Sequence, residues 1–228
     1  MRVIVFIVLV ALSYLSSTPL VAQEVTSVQK RISEGTIYYS INVQAEKSDA
    51  TAAEIIAEGI QTVYLKGYMS RIEISNNVGT QSTIVDGKSG NVKLLKAFGA
   101  QSYLIEMTAA DWQDANKKYQ NVAFELVDEF KKIAGFNCQK AMAKFSDGTN
   151  ATVFFTREII AENRDFEYPY KSLPGLAMEY EVGIGNRKVI FSVTKISLNL
   201  IPTAKFELPK SGYRILSYAE SKQIGLKN

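Results

Sequence analysis

Met178-Glu179-Tyr180-Glu181-Val182-Gly183-Ile184-Gly185-Asn186-Arg187-Lys188-Val189-Ile190-Phe191-Ser192-Val193 is the stretch that decides the fold class. Met178, Tyr180 and Val182 share one parity, with Glu179 and Glu181 on the other; Val189, Phe191 and Val193 repeat the pattern. A period of two is the mark of a strand with one buried face, because successive side chains point to opposite sides of the sheet. Gly183-Ile184-Gly185-Asn186 falls between the two runs. Glycine and asparagine supply the positive φ that a tight connection needs, so the stretch reads as an antiparallel hairpin.

Working outward, the same alternation recurs along the chain. Ile37, Tyr39, Ile41 and Val43 oppose Thr36, Ser40 and Asn42, and Val63-Leu65, Ile72-Ile74, Val92-Leu94 and Tyr103-Ile105-Met107 follow. Asp86-Gly87 links Ser82–Val85 to Val92–Leu95, and Asp147-Gly148 links Ala141–Phe145 to Ala151–Phe155. Sequential strands joined by short turns imply an antiparallel meander with one wet face.

Helical signals are fewer. Thr51 with Glu54 forms a capping-box pattern ahead of the stripe Ala52, Ala53, Ile55, Ile56 and Ile60, with Gly59 as its stop. A second helix is expected from Thr108, with Asp111 three residues on and Trp112, Ala115 and Tyr119 along one face. A third, short one follows Ser217, where Glu220 completes the box.

The expected architecture is therefore mainly β (α+β). It has eight to ten strands in a strongly curved antiparallel sheet, a half-open barrel whose hollow is filled by two or three short helices. A large sheet with one apolar face must curl around something or pair with a second sheet. A two-layer β-sandwich is the alternative. No repeat, low-complexity tract or linker suggests a second domain.

The N-terminus adds an address. Arg2 precedes the apolar run Val3–Leu12, Ser13–Pro19 break it, and Leu20-Val21-Ala22 precede Gln23. This is the order of a cleavable signal peptide over residues 1–22, with cleavage at Ala22-Gln23 and a single domain over 23–228. The run is shorter than the roughly 20 residues that span a bilayer. An exported, periplasmic or extracellular protein with no membrane span after cleavage is expected. Cys138 is the only cysteine, so neither lipid modification at the cleavage site nor an internal disulfide is available. Its alternating surroundings read as those of a small buried apolar side chain.

Composition excludes several chemistries. The chain has no histidine, which removes Ser–His and Cys–His nucleophilic sites and histidine metal ligands. With 26 basic and 23 acidic side chains and no basic stripe, nucleic acid is not an expected partner. No Gly-rich phosphate loop or spaced calcium ladder occurs, and no cofactor or metal is expected. Glu158, Glu162, Asp165 and Glu167, interspersed with Arg157 and Arg164, could in principle form a carboxylate pair. A solvated, charge-balanced loop is the expected reading, since charged residues usually sit exposed.

The segment with most character runs from Lys131-Lys132-Ile133-Ala134-Gly135-Phe136-Asn137-Cys138-Gln139-Lys140-Ala141 through Phe154-Phe155-Thr156-Arg157-Glu158-Ile159 to Tyr168-Pro169-Tyr170-Lys171-Ser172-Leu173-Pro174-Gly175-Leu176-Ala177-Met178. It resembles the GLPGLI family of exported Gram-negative proteins, with Leu173-Pro174-Gly175-Leu176 matching the centre of that family's box. Ser172 stands in place of the box's first glycine and Ala177 in place of its isoleucine. Leu65-Lys66-Gly67 with Ser70-Arg71, and Ile84-Val85-Asp86-Gly87-Lys88, resemble a related group of uncharacterised exported proteins. What these resemblances imply is a fold like that of the lipoprotein carriers LolA and LolB, and no established activity.

Physically, Pro174-Gly175 is expected to centre a type II turn, with positive φ at the glycine. Leu173, Leu176 and Met178, approached through Tyr168, would then stand at the rim of the sheet. They either close a corner of the core or form the lip of an apolar cavity; as candidate ligand contacts the residues are Tyr168, Leu173, Leu176 and Met178. The leading expectation is a non-enzymatic envelope protein that binds a lipid or other apolar small molecule inside the sheet. An interaction module for an outer-membrane protein partner comes second, and a carboxylate-dependent hydrolase a distant third.

Overall fold

The computed structural model describes residues 29–44, 59–184 and 187–226. The expected signal peptide, the Gly185-Asn186 part of the hairpin turn and most of the helix expected from Thr51 lie outside those residues. Gly59 and Ile60, read as that helix's stop and last apolar contact, instead open a strand.

Among the described residues, fourteen strands and two α-helices follow in chain order. They are β1 (Lys30–Ile32), β2 (Glu34–Gln44), β3 (Gly59–Lys66), β4 (Met69–Asn76), β5 (Gly79–Asp86), β6 (Val92–Phe98), β7 (Gln101–Met107) and α1 (Ala109–Ala115). Then come β8 (Ala123–Ile133), β9 (Phe136–Lys144), β10 (Asn150–Thr156), β11 (Ile159–Ala161), β12 (Leu176–Ile184), β13 (Arg187–Ser197), β14 (Arg214–Ser217) and α2 (Tyr218–Gln223). The fold is mainly β with a curved sheet not closed into a barrel, as expected.

Twelve strands form one sheet in the order β14-β7-β6-β5-β4-β3-β2-β13-β12-β10-β9-β8. Two antiparallel meanders, β2 to β7 and β8 to β13, meet where β2 pairs with β13, with Phe191 opposite Ile41 and Val193 opposite Tyr39. Two pairings depart from the expected antiparallel scheme. Strand β14 lies parallel to β7, and β1 lies parallel to β11 in a separate two-stranded sheet. Both need a long return of the chain, which no local turn signal announces.

The helices form where the cap chemistry placed them. Thr108 accepts from the Asp111 amide, and Asp111 reaches back to the Thr108 amide; Ser217 and Glu220 repeat the arrangement. Trp112 and Ala115 of α1 and Tyr218 of α2 pack on Val92, Leu94, Ile105 and Met107. The Tyr218 hydroxyl donates to Asp114 at 3.0 Å and ties the two helices together. None of the described helices is long and apolar enough to cross a membrane.

Three local expectations need correcting. Gly175 does not adopt positive φ. The glycine is required because a Cβ there would sit 1.9 Å from the Thr156 carbonyl oxygen, where the box is laid against β10. In the Asp86–Asn91 connection the positive φ falls at Gly90, not Gly87, and Asp86 instead accepts from the Lys88 amide; Gly148 does take it, at φ 82°. The Arg164–Glu167 part of the acidic segment is not solvated: the Glu167 side chain is 3% exposed and ion-paired with Arg164 at 2.9 Å.

Candidate functional site

Strands β2, β3, β10 and β12 bring Tyr39, Gln61, Ala151, Ala177 and Tyr180 to a common space. Turns bring up Tyr119 and Phe145, and the segment before β12 adds Phe166, Glu167, Pro169 and Tyr170. Together they line a cavity of about 270 Å³. Six aromatic rings, of Tyr39, Tyr119, Phe145, Phe166, Tyr170 and Tyr180, stand on its walls. Tyr180 stacks on Phe191 with centroids 4.9 Å apart, meets Tyr170 at 5.0 Å and takes Tyr39 edge-on at 5.8 Å. Tyr119 meets Phe145 edge-on at 5.2 Å.

A β-bulge fixes this geometry. The register between β10 and β12 shifts, so that Phe154 opposes Glu179 while Phe155 opposes Ala177, leaving Met178 as the extra residue. One inserted residue reverses the facing of everything beyond it. Ala177 and Tyr180 thereby share the cavity, although their sequence parities differ.

Polar groups on the walls are held in defined states. The Gln61 amide donates to the Tyr180 oxygen at 2.8 Å, and the Tyr39 hydroxyl donates to the Ala177 carbonyl at 3.1 Å. Burial, reinforced by neighbouring rings and carboxylates, pushes the Tyr39 and Tyr170 phenols well above their ordinary values; burial raises Tyr180 too. All three remain neutral hydroxyls across the biological range. With Tyr180 accepting from Gln61, its own proton is directed elsewhere, and no described group takes it.

Beneath the cavity the Arg164 guanidinium gathers the box. It donates to the carbonyls of Tyr170 at 3.0 Å, Gly175 at 2.8 Å and Leu173, and to Glu167 Oε2 at 3.0 Å. Glu167 Oε1 accepts from the Ala177 amide at 3.0 Å. Burial raises the Glu167 carboxyl above its ordinary value, against the opposing pull of Arg164. The network fixes the turn that brings Tyr170 and Ala177 to the cavity wall.

None of the four residues singled out from sequence lines this cavity. Leu173 is buried beside Tyr170, Ala177, Val153 and Phe155. Leu176 and Met178 are fully buried in a different cluster, with Cys138, Phe154 and Ile159. Tyr168 is half-buried and meets Trp112 edge-on at 6.2 Å. It lines an outer cleft of about 430 Å³ with Tyr119, Pro169 and Lys171. Tyr119 and Pro169 line both the cleft and the cavity. Cys138 is a buried thiol pushed up to about 11, chiefly by burial, which leaves it unreactive at neutral pH.

Sequence reasoning missed Tyr39, Gln61, Glu167, Tyr170 and Tyr180. One signal was available: Gln61 shares parity with Val63 and Leu65, and a glutamine on an apolar face asks for a buried partner.

No family model matches the chain, and no curated protein does. Distant likenesses exist among solved structures. A structure of PNGF-II aligns over 80% of this chain and 31% of its own, with 12% identity and a TM-score of 0.44. An uncharacterized conserved protein from Thermus thermophilus aligns over 80% and 90%, with 8% identity and a TM-score of 0.46. MucB aligns over 81% and 60%, with 9% identity and a TM-score of 0.42. The chain thus spans about a third of the PNGF-II chain. These likenesses are too distant to place it in a family. Fold and site define a mainly β protein with an aromatic-walled cavity in a curved sheet.

Proposed function

We propose that the protein is an exported, non-enzymatic component of the cell envelope that binds a small apolar or amphipathic molecule in the cavity between β2, β3, β10 and β12. The observation that carries the reading is the cavity itself: aromatic walls around a few oriented polar groups, the usual composition of a ligand pocket. Its two acids are both engaged, Glu167 by Arg164 and the Ala177 amide and Glu181 by Lys188, so the groups on the wall suit holding a ligand rather than moving protons. Export rests on the charged, apolar and small-residue order of Met1–Ala22, and the GLPGLI-family resemblance points to the same address.

Docking of a protein partner draws less support. The edge strand β8 exposes Leu126 and Phe130. However, its register with β9 shifts between them, and Lys140–Glu129 and Lys144–Glu125 pairs cross the same ladder. Bulges and charges make an edge a poor template for an added strand.

Purification without detergent followed by native mass spectrometry tests the proposal, together with uptake of the neutral probe N-phenyl-1-naphthylamine. The expected result is a bound small molecule, or one probe taken up per chain. An adduct-free protein that ignores the probe overturns the reading.

A further inference from the structure

We infer that the cavity's ligand is a single-chain, medium-length amphiphile with an anionic carboxylate head held by Lys118 and Lys171. This rests on the reading of the cavity as a ligand site and names what that site selects.

Size comes first. At about 30 Å³ for a water-sized group, a cavity of about 270 Å³ has room for about nine such groups. That accommodates a chain of roughly octyl to decyl length.

Charge decides the head. Two acids line the cavity, and each has a cation of its own: Arg164 for Glu167 at 2.9 Å and Lys188 for Glu181 at 3.2 Å. Lys118 and Lys171 are different. Lys118, on the cavity wall, lies 4.7 Å from the Tyr119 ring centroid, and Lys171, in the outer cleft, lies 4.6 Å from that of Tyr168. Among the described residues no carboxylate forms an ion pair with either. Asp147 feels the Lys118 charge, but its carboxylate is bonded to Thr149. A ring orients an ammonium without neutralising it. Tyr119 and Pro169 line both spaces, so Lys118 stands on the cavity wall and Lys171 in the cleft that adjoins it. An apolar tail among Tyr39, Tyr170 and Tyr180 would leave its head at that wall. A carboxylate there gains charge-assisted hydrogen bonds, whereas a cationic head meets only acids already paired.

Competition binding with decanoate, decanol and decyltrimethylammonium tests this on the purified protein and on Lys118→Ala/Lys171→Ala. The expected preference for decanoate over decanol is about tenfold, roughly the worth of one hydrogen bond to a charged group. The double variant should bring decanoate and decanol to about the same affinity. Affinity should rise from hexanoate to decanoate and then level off. If decanol binds as tightly as decanoate, or the ammonium more tightly, the charge assignment falls while the cavity reading stands. Continued tightening through tetradecanoate overturns the size limit. If none of the compounds binds, the cavity reading itself is overturned.

Discussion

The two ends of the curved sheet solve one problem in opposite ways. Near β5, β6 and β7 the apolar face is covered by α1 and α2, whose Trp112, Ala115 and Tyr218 fill the space over Val92, Leu94, Ile105 and Met107. Near β10 and β12 only the short 3-10 turns Lys117–Tyr119 and Asp165–Glu167 reach the face among the described residues, and Tyr39, Tyr170 and Tyr180 stand around an open cavity. The first end uses mainly aliphatic side chains in close contact. The second uses large rings with hydroxyls, braced from below by a buried ion pair. Rings hold a cavity open because they pack edge to face and cannot fold into the gap. The difference separates an end built for stability from one built to hold something else.

The largest expected effect breaks the brace. Arg164→Ala strips the buried Glu167 of its counter-ion and leaves three carbonyls without their donor. Such a loss costs about 3–5 kcal/mol, measurable by urea unfolding. An Arg164→Ala protein as stable as wild type would show that the ion pair braces nothing.

Next comes the wall. Tyr180→Phe deletes the oxygen that accepts from Gln61, stranding a buried amide donor at a cost of about 1–3 kcal/mol. Tyr180→Phe/Gln61→Leu, which removes both polar partners, should recover much of that loss. A double variant that is worse than the single would contradict the pairing.

The filled end gives a smaller effect. Thr108→Ala and Ser217→Ala each remove a helix cap and should cost about 1 kcal/mol. Neither should change uptake of an apolar probe, because neither helix lines the cavity. Loss of uptake in a cap variant that is still folded would merge the two ends into one site.

The smallest is a slope. The folded protein keeps the Glu167 proton above 4.5, where the unfolded chain has released it. Stability therefore falls as pH rises from about 4.5 through the raised value and is level beyond it. Glu167→Gln should flatten that segment of the stability–pH curve, and an unchanged slope in the variant would assign it to another group.

What could be read from the chain follows the range of the interactions. The hairpins and both described helix caps were legible because period-two patterning and capping boxes act within a few residues. Strand β8 escaped because charges fill its sequence and its register with β9 shifts midway, so Ala123–Ile133 shows no clean alternation. Strand β14 escaped because four residues parallel to β7 carry no local turn signal. The site was less legible than the fold. The bulge at Met178 decides that Ala177 and Tyr180 face one space, and no pattern within β12 reveals it. Arg164 and Glu167 read as surface charges until the Leu173–Ala177 backbone is laid over them. The Pro174-Gly175 corner was found for the wrong reason: the glycine answers to the neighbouring Thr156 carbonyl, not to its own φ.

Closing the open end puts the cavity itself to the test. Ala151 is a buried residue on the cavity wall, and Ala151→Leu places three more carbons in that space. Equilibrium binding of N-phenyl-1-naphthylamine to wild type and Ala151→Leu, each shown to be folded by near-UV circular dichroism, gives the answer. One site is expected in the wild type and none in the variant. Equal uptake by both would show that the cavity between β2, β3, β10 and β12 is not where an apolar molecule binds.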